Sequence, residues 1–223
     1  MRIAITMMIV NAAGYAEPRD AISHDWLRWL EVRGHDALPV PNSVSSPESY
    51  LDVIDAEGII FSGGNDIVPD EDGRAHSELR NAVETRLLAA AIKRSLPVLG
   101  VCRGLHLINH HFGGAISLDI RGGAVEHIAA NHEVSLAAPF RRYAGAATIE
   151  TNSYHKQGVL EDGVAGPLVA FAWSLPDRLV EGLYHPERPI LALQWHPERV
   201  NLAASFDEIV VARLFDEGAF WQG

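Results

Sequence analysis

The chain of 223 residues holds a single cysteine, Cys102. One thiol excludes an intrachain disulfide framework and a zinc centre built from several thiolates. It also fits a reducing compartment, so the expected location is the cytosol. Cationic residues are scarce too: 18 Lys and Arg stand against 29 Asp and Glu, for a formal net charge of -11. So acidic a chain lacks the cationic footprint that displaces counterions from nucleic acid and the attraction to anionic lipid. No apolar run approaches the roughly 18 residues of a membrane helix. The apolar start, Ile3 to Val10, reaches only the short limit of a signal-peptide core and reads better as a buried first strand. Repeats, low-complexity tracts and linkers are absent, so residues 1–223 are expected to form a single domain.

What is present alternates. Ile3–Ile9 reads as a strand. Arg19–Arg33 reads as a helix, with Ile22, Trp26, Trp29 and Leu30 at helical spacing and Gly34 as its stop. Asp36–Val40, Gly58–Ser62 and Pro97–Val101 read as further strands, separated by helices at Pro47–Val53 and Ser77–Ser95 and followed by a helix at Leu105–Phe112. This alternation predicts an α/β fold, a mostly parallel sheet with helices on both faces. The second half predicts extra antiparallel strands at Glu133–Leu136, Ala146–Glu150, Leu168–Trp173, Leu179–Tyr184 and Ile190–Gln194, then a last helix at Leu202–Phe215.

The segment Leu99-Gly-Val-Cys-Arg-Gly-Leu105 carries the chemistry. A buried strand runs into Cys102, a helix follows, and Gly100 and Gly104 leave room for a sharp turn. That G-x-nucleophile-x-G pattern lifts the thiol above the carboxyl end of the sheet, where the positive end of the following helix favours a thiolate. The backbone N–H of Arg103 is placed for a developing oxyanion, and a second donor is expected from the Gly63-Gly64 loop after the third strand. Of eleven histidines, His196 stands apart, because it follows the strand Leu191–Trp195 and has Glu198 two residues on to orient it. His24, His35 and His76 read as exposed, and His127 and His132 as flanking a turn. His106, His110 and His111 have near-helical spacing but lack the Glu of a zinc-protease helix. No metal or other cofactor is expected.

These residues, with Asn109, Gly113-Gly114, Asn152-Ser-Tyr-His155 and Gln194-Trp-His-Pro-Glu198, resemble the class I glutamine amidotransferase-like superfamily, and within it the γ-glutamyl hydrolase branch, peptidase family C26. The resemblance spans roughly residues 59–198. It implies a flavodoxin-like sheet, a triad of Cys102, His196 and Glu198, and an oxyanion hole from the Gly64 and Arg103 amides. It also implies a γ-glutamyl pocket lined by Gly63, Asn152, Ser153, Tyr154 and His155. His106 stands where the family usually has Gln. Arg19 is a candidate contact for the leaving group.

The activity expected is cleavage of a small γ-glutamyl amide, an amine or a nucleotide amidate, through a γ-glutamyl thioester. The alternative is a glutaminase subunit that delivers ammonia to a separate synthetase, there being no residues left over for one here. A third arrangement pairs the thiol with His106, as in cysteine peptidases whose histidine closely follows the cysteine. Expected partners are the small substrate and, in the alternative, the synthetase; a homodimer is open to the chain, and neither nucleic acid nor membrane is expected.

Overall fold

The computed structural model describes residues 1–69, 71, 73–120 and 127–222. Five parallel strands form the first half of the sheet: β1 (Arg2–Thr6), β4 (Asp36–Val40), β5 (Gly58–Phe61), β6 (Val98–Val101) and β11 (Ile190–Leu193). Four antiparallel strands extend it: β7 (Ile128–Leu136), β8 (Thr148–Tyr154), β9 (Val169–Ser174) and β10 (Val180–Tyr184). Their order is β4-β1-β5-β6-β11-β10-β9-β7-β8. This is the expected α/β, flavodoxin-like sheet with its antiparallel addition. No helix among the described residues is long and apolar enough to cross a membrane.

The central strands are apolar on both faces, as a sheet covered on both sides requires. Ile3, Ile5, Ile60, Leu99 and Val101 pack with Trp26, Trp29 and Leu30 of helix α1 (His24–Val32) and with Val210 and Leu214 of helix α6 (Ala204–Glu217). Ala4, Ile59, Phe61 and Val98 pack instead with α2 (Pro47–Val53), α3 (Arg74–Lys93) and α4 (Arg103–His111).

Several boundaries differ from the sequence expectation: β7 starts five residues early, at Ile128 rather than Glu133, and α3 and α4 start at Arg74 and Arg103 rather than Ser77 and Leu105. The first apolar run breaks at Met7, and Met8–Asn11 leaves the sheet as β2 to pair with β3, Pro18–Ala21. The helix expected from Arg19 therefore starts at His24, where the Ser23 side chain accepts the Asp25 N–H as an N-cap. Strand β8 runs on through Asn152–Tyr154, so the Asn-Ser-Tyr-His segment leaves the sheet edge rather than a loop. A short helix at Arg141–Ala144, α5, has no counterpart in the sequence expectation.

Asn109 at the end of α4 ties down the turn that follows. Its buried amide donates to the carbonyls of Ala115 and Gly163, each at 3.0 Å, and its Oδ1 accepts the Ala165 N–H at 2.9 Å. Gly114 is glycine because a Cβ there would overlap that amide. Asn109→Ala removes three hydrogen bonds and leaves backbone groups without partners, and is expected to cost about 3 kcal/mol. Denaturant unfolding checks this; a loss under about 1 kcal/mol would show that water replaces the amide.

Candidate active site

The β6–α4 junction places Cys102 at φ 54° and ψ -104°, a conformation that residues with a Cβ rarely adopt. The tight turn explains both flanking glycines. A Cβ on Gly100 would lie 2.6 Å from Ile108 Cδ1, and one on Gly104 would overlap the Phe61 carbonyl oxygen. Cys102 is 8% exposed, at the floor of a cavity of about 260 Å³ lined also by Gly64, Arg103, His106, Tyr154 and His155.

His196 reaches the thiol from the loop after β11. Its other nitrogen, Nδ1, lies 2.7 Å from Glu198 Oε1. Burial pushes the Cys102 thiol up, but its hydrogen bond to His196, the nearby imidazoles and the Arg103 amide outweigh this and hold it below its ordinary value. Burial likewise lowers His196, yet Glu198 and the thiol carry it up to about 9. Between those two titrations the pair is thiolate and imidazolium. Iodoacetamide alkylation of Cys102 is therefore expected to persist below the ordinary thiol range near 8.5, with a midpoint that rises in His196→Asn. An unchanged midpoint in that variant would show that the imidazole does not hold the thiolate.

The structure does not bring every candidate residue to the cavity. Asn152 does not face a ligand. Its Nδ2 donates to the His196 carbonyl and its Oδ1 accepts the His196 N–H, both at 2.9 Å, so it clamps the His196 backbone. Ser153 is fully buried and donates to the His127 carbonyl at 2.9 Å. Arg19 lies on the exposed hairpin rather than on α1, bonded to Glu17 at 2.6 Å and to Tyr15 Oη at 2.8 Å, and lines neither cavity beside the thiol. Gly63 packs against Cys102 and His196 from the other side: a Cβ there would lie 2.9 Å from His196 Cε1 and 3.6 Å from Cys102 Cβ. It borders a second cavity of about 90 Å³ shared with Met8, Ile22, Trp26, His196 and Arg199.

His106 is not the thiol's hydrogen-bonding partner. Its Nε2 lies 2.8 Å from Gln194 Oε1, and burial and the neighbouring His155 lower it to about 3, so it is neutral. His127 and His132, read from the sequence as flanking a turn, are buried beside Glu181 of β10.

The sequence reading missed Arg80 and Glu84, four residues apart on α3 and both fully buried. Arg80 donates to the carbonyls of Gly63 at 2.8 Å and Ser62 at 2.9 Å, and to Glu84 at 2.8 Å. The second oxygen of Glu84 takes the Arg103 guanidinium. Burial would raise Glu84, but Arg103 and Arg80 hold it below its ordinary value. One carboxylate thus joins the Gly63-Gly64 loop to the cysteine turn. The i, i+4 spacing is visible in the sequence; that both groups are buried is not.

Comparison with known proteins gives the same architecture. A glutamine amidotransferase of Thermotoga maritima superposes with a TM-score of 0.64 at 13% identity, covering 95% of this chain and 81% of that one. Protein NtpR of Enterococcus hirae is 33% identical over 200 residues, 79% of this chain and 82% of its own length. The gamma-glutamyl-CDP-amidate hydrolase of Campylobacter jejuni is 26% identical over 202 residues, 90% of this chain and 92% of its own. The family profile described as peptidase C26 matches residues 3–198, and the chain therefore belongs to the peptidase C26 family of glutamine amidotransferase-like hydrolases.

Proposed function

We propose that the chain hydrolyses the γ-glutamyl amide bond of a small compound through a γ-glutamyl thioester on Cys102. The observation that carries the reading is the placement of the thiol between the His196 imidazole and the Arg103 amide, with Glu198 behind the imidazole. The Cys102 thiolate attacks the γ-carbonyl carbon, and the oxyanion takes the amides of Arg103 and Gly64. His196 gives its proton to the leaving nitrogen as the C–N bond breaks. Water, deprotonated by His196, then cleaves the thioester and releases glutamate. Arg80 serves the oxyanion hole indirectly, by tying back the Ser62 and Gly63 carbonyls so that the Gly64 amide stays on the cavity side.

The cavity suits an amino-acid head. Lys156 and Asp66 line it and pair with each other at 3.2 Å. Each can exchange its partner for one end of the zwitterion, Lys156 taking the α-carboxylate and Asp66 the α-ammonium. The leaving group then falls toward the smaller cavity, where Arg199 supplies a cation beside the apolar Met8, Ile22 and Trp26. The similarity to a hydrolase named for γ-glutamyl-CDP-amidate supports a leaving group that carries phosphate.

The test is a substrate panel on the purified chain: glutamine, γ-glutamyl amines and a γ-glutamyl nucleotide amidate. Release of the amine or amidate well above release of ammonia from glutamine supports the hydrolase. Ammonia release that rises only when a synthetase is added would replace it with the glutaminase-subunit reading.

A further inference from the structure

Under the cavity floor, three imidazoles converge on one buried oxygen. Glu181 Oε1 lies 3.3 Å from His132 Nε2, 3.6 Å from His155 Nε2 and 3.9 Å from His127 Nδ1. All four residues are buried. Both nitrogens of His132, Nε2 of His155 and both Glu181 oxygens make no acceptable hydrogen bond despite this proximity. Buried polar groups in that number and that close together need an explanation.

The groups behind two of the rings decide what faces the centre. His127 Nε2 meets the Asp177 carboxylate at 3.1 Å, an acceptor, so that nitrogen carries the hydrogen. His127 Nδ1 is then a bare lone pair. Its neighbour Ser153 Oγ, 3.3 Å away, has its own hydrogen directed to the His127 carbonyl at 2.9 Å. His155 Nδ1 likewise meets a carbonyl, that of Gln157, at 2.9 Å. In the neutral ring its Nε2 also turns a lone pair toward Glu181. With the His155 ring neutral, lone pairs and a carboxylate point at the same space, and one cation there would satisfy them together.

We propose that His127 Nδ1, His132 Nε2 and Glu181 Oε1 form a divalent transition-metal site of the zinc class, with His155 Nε2 as the fourth corner. The first three ligand atoms lie within 4.8 Å of one another. A tetrahedral zinc ion with bonds of about 2.0–2.1 Å separates its ligand atoms by about 3.3 Å, so these three draw closer to hold it and His155 moves in to complete the cage. Nitrogen and carboxylate ligands suit zinc, and softer thiolates are not needed. Asp177 on the far nitrogen of His127 is the outer carboxylate that metal-bound imidazoles commonly have. Glu181 and Asp177 together balance a double positive charge. Such an ion would clip β7, β8 and β10 together beneath the cavity. His155 also lines the cavity beside Cys102, so the metal site adjoins the proposed reaction centre; its test reads the metal itself and does not depend on the hydrolysis.

The experiment strips the full chain with a chelator and titrates it with Co²⁺, reading metal per chain, visible absorption and Tm. The expected result is about one Co²⁺ per chain with the intense visible bands of a four-coordinate ion and a raised Tm. Cys102→Ser keeps these signals; His132→Gln and Glu181→Gln each weaken binding at least about a hundredfold. Should those variants fail to fold, X-ray absorption of the zinc-loaded natural protein decides: a shell of nitrogen and oxygen alone supports the site, and sulfur in the shell overturns it. No saturable binding below about 10 μM, loss of the signal in Cys102→Ser, or undiminished binding in folded His132→Gln would each overturn it. In the first of these cases the centre is held by protons on its imidazoles instead.

Discussion

Cys102→Ala is expected to lower kcat/KM for a γ-glutamyl amide by about ten-thousand-fold or more, with the fold retained. Without the sulfur no thioester forms, and the oxyanion amides and His196 are left with no nucleophile to serve. The substitution removes one atom from a position that is already 8% exposed, and alanine meets the same positive φ as cysteine. Unfolding free energy should therefore change by less than about 1 kcal/mol, which separates lost chemistry from lost structure. Activity within tenfold of the natural protein would mean that another group carries the reaction.

Arg80→Gln has the second largest expected effect, a fall in kcat of about a hundredfold to a thousandfold with KM little changed. Glutamine cannot reach the Ser62 and Gly63 carbonyls and Glu84 at once, so the loop that presents the Gly64 amide is released. Breaking a buried ion pair is also expected to cost about 3–5 kcal/mol of stability. The two effects are told apart at Cys102. If Arg80 acts on the oxyanion loop, the alkylation midpoint of the thiol stays put while kcat falls, because His196 still holds the thiolate. If Arg80 is only structural, the midpoint shifts along with kcat. A kcat within threefold of the natural protein would remove Arg80 from the account.

The parts of the site that are legible in sequence are those built by neighbours in the chain. Gly100, Cys102 and Gly104 specify a turn whose crowding the structure locates at Ile108 and Phe61. His196 and Glu198 are two residues apart, and their 2.7 Å contact follows from that spacing. The alternation of apolar strands with helices is likewise local, and the flavodoxin-like sheet follows from it. What sequence hides depends on strands that meet only after folding. Asn152 of β8 clamps His196 across 44 residues, so its polar side chain resembles a ligand contact until the partner is seen. His127, His132, His155 and Glu181 come together only because β7, β8 and β10 lie in one antiparallel block. Arg19 falls elsewhere than expected for a different reason. The helical spacing of Ile22, Trp26 and Trp29 extends backwards past Ser23, whereas the chain pairs Pro18–Ala21 with Met8–Asn11 and caps the helix afterwards.

The covalent step is the claim on which the rest depends, and mass spectrometry of quenched turnover reads it directly. His196→Asn slows the water attack that needs a base, so a γ-glutamyl amide with a good leaving group should load the enzyme faster than it clears. One γ-glutamyl mass increment is expected, located on the Cys102 peptide, labile to hydroxylamine and absent in Cys102→Ala. Turnover of the natural protein with no adduct in either enzyme at any quench time, or an adduct on a different residue, would contradict it.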